Sequence, residues 1–222
     1  MQNNTGELHQ ILAMIIDITT IPIFLITIDS AKERHKKVES IFNSLNVNII
    51  HINGEILDKT GLSFMDIQTK KSALVANAHI KALKYCNPPF IILEDDVNAI
   101  NKISTTYEIP YDTDAFYLGT SVWGMLNGQS VGGGTRGKKI NSDISKVWGM
   151  LGIHAIAYIT QAYVDHTIKN LENCISLNRF CDECIAEDMI NHNVYCVNEP
   201  VFYQDDGHND KVTLFPFKTY LP

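Results

Sequence analysis

The 222-residue sequence is short of the features that mark several protein classes. It has no run of Lys and Arg and a net charge of −7, so no nucleic acid is expected as its main partner. An anionic ligand would need local help from a metal, an Arg or a helix N-terminus. The five Cys (Cys86, Cys174, Cys181, Cys184 and Cys196) are odd in number and lack framework-like spacing. They read as reduced thiols of a cytoplasmic protein. No P-loop is present, which counts against a phosphoryl-transfer enzyme. Ile11 to Ile28 approaches the length of a membrane span, but Asp17, Thr19-Thr20 and Pro22 interrupt it and no Lys or Arg precedes it. Neither a signal peptide nor a transmembrane segment is therefore expected. With no internal repeat or low-complexity linker, residues 1–222 read as a single mixed α/β domain.

What is present is ordinary for a folded soluble protein, with 45% apolar and 19% charged residues. The most informative stretch is P-P-F-I-I-L-E-D-D-V, Pro88 to Val97. Phe90 to Leu93 reads as a strand buried on both faces. It stops at three adjacent carboxylates, Glu94, Asp95 and Asp96, which repel one another and are costly to bury unpaired. They need either open water, as a solvated acidic turn, or a cation. The carboxyl end of a buried strand in an open α/β sheet is where ligands usually sit, which favours the cation. In an extended segment Glu94 and Asp96 point to one side and Asp95 to the other.

Around this stretch, Pro22 to Ile28 reads as a β-branched core strand and Asp29-Ser30 as a cap. Arg34 to Leu45 follows as a helix, with Val38, Ile41, Phe42 and Leu45 at helical spacing. Val47 to Ile52 is a second strand closed by the Asn53-Gly54 turn, so the unit is β-α-β with a parallel pair. Ile56 to Thr69 reads as irregular, and Lys70 to Tyr85 as a helix. Ile100 to Thr113 reads as helix then loop, while Asp114 to Leu118 and Gly152 to Ile159 read as strands. Thr160 caps a helix to about Leu171, and Asp182 to Asn191 is helical. Gly124 to Ser142 holds six Gly, flanked by Trp123 and Trp148, and is either a functional lid or a surface insertion. The expected architecture is a mixed, mostly parallel sheet flanked by helices.

In this order, the pieces resemble glycosyltransferase family 25, the lipooligosaccharide-type and collagen-type galactosyltransferases. The matching text is F-L-I-T-I-D-S-A-K-E-R (Phe24 to Arg34), N-G-E (Asn53 to Glu55), H-I-K-A-L (His79 to Leu83) and I-L-E-D-D-V (Ile92 to Val97). D-A-F-Y-L-G (Asp114 to Gly119), G-I-H-A-I-A-Y-I (Gly152 to Ile159) and the Q-D-D tail from Gln204 to Asp210 follow in family order. The resemblance spans roughly Ile21 to Asp210 and leaves residues 1–20 as an N-terminal extension. Where the family reads G-E-I-G-C, this chain has K-S-A-L-V (Lys71 to Val75), with Ser72 at the position of a frequent Glu.

The resemblance implies a GT-A type, Rossmann-like nucleotide-sugar-binding fold. It also implies an inverting, metal-dependent transfer of a hexose such as galactose from a UDP-sugar to a hydroxyl of a glycan or protein acceptor. A catalytically lapsed nucleotide-sugar-binding module is the alternative, and the Lys71 to Val75 departure is what makes it reasonable. A Mn²⁺ or Mg²⁺ ion takes few carboxylate oxygens and leaves positions for phosphate. Asp96 is the expected direct ligand, Glu94 its helper or a ribose contact, and His208 with Asp206 candidates to complete the shell. Thr27, Asp29, Arg34, His79, Glu94 and Asp95 are expected around the nucleotide. An inverting transfer needs a base for the acceptor hydroxyl. Asp182 is the first candidate and Asp188 the second, from the acidic group that includes Glu183 and Glu187; both also suit a solvated helix face. His154, among small and apolar neighbours, reads as a core histidine. The C-x-x-C at Cys181 and Cys184, with His192 and Cys196 downstream, is not expected to bind zinc, since it lies in a helix-like stretch without a second C-x-x-C.

Overall fold

The computed structural model describes residues 12–99, 102–121, 123–126, 129–132 and 135–204. In chain order the elements begin β1 (Ala13–Asp17), β2 (Ile23–Thr27), α1 (Lys32–Ile41), β3 (Ile49–Asn53), α2 (Phe64–Leu83), β4 (Phe90–Glu94) and β5 (Val97–Ala99). There follow β6 (Thr106–Pro110), β7 (Ala115–Tyr117), β8 (Trp123–Leu126), β9 (Gln129–Gly132), β10 (Arg136–Lys139), β11 (Ile144–Trp148) and β12 (Ala155–Tyr158). The chain then forms α3 (Gln161–Ser176), α4 (Cys181–Asp188), a 3₁₀ turn (Met189–Asn191), β13 (Val194–Val197) and β14 (Phe202–Gln204).

An eight-stranded sheet in the order β10-β11-β13-β7-β12-β4-β2-β3 carries the fold. Both crossovers at its β3-β2-β4 edge are parallel, as the β-α-β pattern predicts. The sheet as a whole is mixed rather than mostly parallel. Three of its pairings are parallel and four antiparallel, because β12 runs against both β4 and β7, and β11 against both β13 and β10. Three two-stranded sheets, β1-β6, β14-β5 and β8-β9, flank it.

The central strands are buried on both faces, as their unbroken apolar text requires. Phe24, Ile26, Phe90, Ile92, Ile156 and Tyr158 face a core shared with α2, α3 and α4. Their neighbours Ile23, Leu25, Ile91, Leu93, Ala155 and Ala157 face a second core with Val38 of α1, Ile16 and Ile109. This period-two division is the pleat of a strand with no solvent side.

Two segments differ from the sequence reading. The helix α2 begins at Phe64, inside the stretch read as irregular. Ser63 accepts a hydrogen bond from the Asp66 N–H, and the Asp66 side chain accepts from the Ser63 N–H, a capping box that starts the helix. Ile100 to Thr113, read as helix then loop, contains β6, which pairs antiparallel with β1. Its Tyr107 and Ile109 turn towards the second core, and a partner strand decided what local propensity left open. The Gly-rich segment forms the hairpin β8-β9 and the strand β10. None of the described helices is long and apolar enough to cross a membrane.

Phe90 has no solvent exposure and its ring meets those of Phe24 and Tyr158, at centroid separations of 5.3 and 5.6 Å. A Phe90→Ala substitution is expected to lower the unfolding free energy by ~3–5 kcal/mol, since these flanking rings cannot all collapse into the space. Urea titration monitored by circular dichroism checks the value; a loss below about 1 kcal/mol would mean that the central strand is less tightly packed than described.

Candidate active site

The carboxyl ends of β2, β3 and β4 emerge on one edge of the sheet, because the three strands are parallel. A cleft of about 630 Å³ opens there. Its wall combines the ends of β2 and β4, one face of α2 (Lys71, Ser72, Val75), the start of α4 (Cys181, Asp182) and Gln204 of β14. The volume falls within the range of small-molecule sites.

The three acids at the end of β4 have separate fates. Glu94 Oε1 lies 3.0 Å from Nε2 of His79, which is wholly buried on α2. Burial pushes the Glu94 carboxyl up, but the hydrogen bond and charge of His79, helped by His154 and Lys71, outweigh it and leave the pKa below the usual value. Asp95 turns to protein partners. Its Oδ2 accepts from Thr27 Oγ1 at 3.2 Å, and its Oδ1 lies 3.2 Å from the Arg34 guanidinium.

Asp96 is the least satisfied of the three. Its Oδ1 is buried without a hydrogen-bond partner among the described residues, and its Oδ2 accepts from Gln204 Nε2 at 3.0 Å. The same Gln204 amide donates to Glu94 Oε2 at 3.2 Å, so one NH₂ group lies between two carboxylates. Burial, with the charge of Glu94 behind it, pushes Asp96 up to about 7. The rise comes first from lost solvent and then from the like charges of Glu94 and Asp95, which Gln204 and Arg34 only partly offset.

Other expected site residues fall into clear groups. Thr27 and Arg34 line the cleft, though both are engaged with Asp95. Asp29 is exposed, accepts a hydrogen bond from Asn53 Nδ2 at 3.0 Å and is not among the cleft-lining residues. His79 is too buried to touch a ligand and instead orients Glu94. Asp182 lines the cleft, and burial raises its carboxyl, with the charges of Glu183 and Glu94 adding to the effect. Asp188 is not brought to the cleft: it closes α4, six residues beyond Asp182 or about 9 Å along the axis, and binds His166 and His192 instead. Glu183 and Glu187 are paired with Arg179. His208 and Asp206 lie outside the described residues.

Three features escaped the sequence reading. Gln204 was legible only as the first letter of a polar tail; its position follows from the pairing of β14 with β5, which sets it opposite Val97 beside Asp96. Ser72 is buried and its Oγ accepts from the Cys181 N–H at 2.8 Å, holding the start of α4 over the cleft. His154 is buried as expected of a core histidine, but neither ring nitrogen has a partner among the described residues. It fits there only because two glycines flank it: a Cβ on Gly119 would lie 2.2 Å from its Nε2, and one on Gly152 3.2 Å from its Nδ1. Burial depresses its pKa, against the opposing pull of the Glu94 charge.

No family model matches the chain, and no curated protein matches it. Among solved structures it is similar to a crystal structure of a glycosyltransferase involved in the glycosylation of the major capsid of PBCV-1, at 14% identity and a TM-score of 0.33. The match covers 71% of this chain and 65% of that one, so this chain spans under two thirds of that protein's length.

A carboxyl raised to about 7 in the fold, against an ordinary value near 3.8 when unfolded, binds its proton more tightly in the folded state between those values. The metal-free protein should therefore lose stability as pH rises from about 4 to about 7. Asp96→Asn should flatten this slope and raise metal-free stability at pH 8 by ~1–3 kcal/mol. Denaturant titrations of both proteins at pH 5 and pH 8 check the sign. A wild type that gains stability relative to Asp96→Asn over that interval contradicts it.

Proposed function

We propose that this chain is a glycosyltransferase of the family 25 type, moving a hexose from a UDP-sugar to a hydroxyl of a glycan or protein. The observation that carries this reading is the Glu94–Asp96 pair, two carboxylates sharing one amide at the carboxyl edge of parallel strands, with Asp96 Oδ1 buried and unpartnered among the described residues. Such hard oxygen donors suit Mn²⁺ or Mg²⁺, and Asp96 with Glu94 would hold it. When bound, such an ion supplies positive charge against a diphosphate leaving group.

The remaining cleft residues have roles that follow from their chemistry. Lys71 and Arg34 bring cationic side chains to the cleft and attract the phosphates of the donor. Asp95 keeps Arg34 in place, and His79 keeps Glu94 in place. Asp182 takes the proton of the acceptor hydroxyl as its oxygen bonds to the anomeric carbon and the bond from that carbon to the diphosphate breaks. A carboxylate whose proton affinity is raised by burial is a better base for that step. Ser72, at the position of a frequent family Glu, serves α4 through its hydrogen bond to Cys181 and leaves the base to Asp182.

The test is a panel of UDP-sugars with and without Mn²⁺, in the presence of candidate sugar acceptors. Wild type is expected to release UDP from one donor in a metal-dependent way, and Asp96→Ala to abolish the release. Asp182→Asn should lower kcat ~10²–10⁴-fold while leaving donor affinity unchanged. Binding of a donor without turnover by any acceptor would favour a non-catalytic nucleotide-sugar module. Neither binding nor release, in protein shown to be folded, would overturn the proposal.

A further inference from the structure

The end of the sheet remote from the cleft holds a second cluster of chemistry-bearing side chains. Tyr158 of β12 pairs with Phe90 at the amino end of β4, so α3 starts at that far end. Val194 of β13 pairs with Ala115 there too, which brings the end of α4 and the following turn to the same place. His166 of α3, Asp188 at the end of α4 and His192 after the 3₁₀ turn converge on one point. Nε2 of His192 lies 3.0 Å from Asp188 Oδ2, and Nε2 of His166 contacts the same oxygen. One ligand atom from each of the three lies within 4.8 Å of the other two.

The surroundings hold these groups in register. Asn191 Nδ2 donates to Asp188 Oδ1 at 2.9 Å, and Asn170 Nδ2 to Oδ2 at 3.4 Å. Behind His192, its Nδ1 faces Asp114 Oδ2 at 3.8 Å, and the Tyr163 ring meets its imidazole edge-on at 5.0 Å. A carboxylate behind a histidine's second nitrogen is the support that metal-binding imidazoles have. The side chains of His166, Asp188 and His192 remain 38%, 23% and 19% exposed, so an ion and a water can reach them.

We infer that His166, Asp188 and His192 form a binding site for a divalent transition-metal ion of the zinc class. Two imidazole nitrogens and one carboxylate oxygen make a three-ligand set that leaves a position for water. This borderline donor set selects zinc-like ions over Mg²⁺, whose preference is for oxygen alone. The ion ties α3 to the joint between α4 and β13, and α4 carries Asp182 at its other end. It is separate from the Glu94–Asp96 pair and does not rest on the glycosyl-transfer reading. The cysteines of the C-x-x-C take no part in it: Cys181 is buried against Ser72, and Cys184 is hydrogen-bonded to Cys174.

The experiment uses the full chain, stripped of metal with a chelator, in an Asp96→Asn background that weakens the competing carboxylate pair. Co²⁺ titration is expected to reach saturation at one equivalent, with the visible absorption of a low-coordinate ion that Zn²⁺ abolishes. His166→Gln and His192→Gln should each lose that absorption, while keeping the circular dichroism of the metal-free protein. A hundredfold excess of Zn²⁺ over its Kd should raise Tm on the order of 5 °C, a rise absent in both variants. If Co²⁺ gives no saturable absorption, or binds the variants as tightly as the unsubstituted chain, the proposal is overturned and the cluster is a hydrogen-bonded group only.

Discussion

Repulsion among three consecutive carboxylates is the constraint on which the cleft depends. Glu94, Asp95 and Asp96 follow four fully buried residues and are themselves only partly open to the cleft, so each needs compensation from the protein. Glu94 finds it in His79 of α2, Asp95 in Thr27 and Arg34 on the neighbouring β-α unit, and Asp96 only half of it in Gln204. These partners come from different parts of the chain and share only that edge of the sheet. The acids thus fix how α1, α2 and β14 approach it, while the incomplete satisfaction of Asp96 leaves the edge receptive to positive charge.

The central half of the fold was legible because its signals are local. Apolar runs bounded by Pro, Gly or charge marked β2, β3 and β4, and the parallel pairing followed from the helices between them. The need of Glu94 to Asp96 for compensation was legible for the same reason, since three acids after four buried residues are a contradiction visible in the text. Antiparallel β12, inserted between β4 and β7, was not legible, because nothing in Gly152 to Ile159 records which strands it joins. The sheet is accordingly more mixed than the β-α-β rhythm suggests.

Side-chain roles divide along the same line. Asp182 reached the cleft and Asp188 did not, although both lie on one short helix in one acidic cluster. Composition marks the cluster, but only the direction of α4, set by the Ser72 contact at one end and β13 at the other, says which acid faces which end of the sheet. His154 gives the converse case. Its burial was predictable from its neighbours, whereas the bare state of both ring nitrogens depends on Gly119 and Gly152 closing around it. His79 is a related case: proximity to a strand end does not reveal that a side chain is fully buried and already hydrogen-bonded, here to Glu94.

The bridge from Gln204 to Glu94 and Asp96 spans 110 and 108 residues of chain. A contact of that separation carries a larger loop-closure cost than the pairings among β2, β3 and β4. The edge of the sheet can assemble from β2, β3 and β4 alone, yet its two facing acids stay without their shared donor until β14 docks on β5. During synthesis, about 110 residues must be added after Glu94 before Gln204 is available to it, while His79, Thr27 and Arg34 are already present for Glu94 and Asp95. Among the described strands, β14, the last in chain order, is the one that supplies the shared donor to this edge.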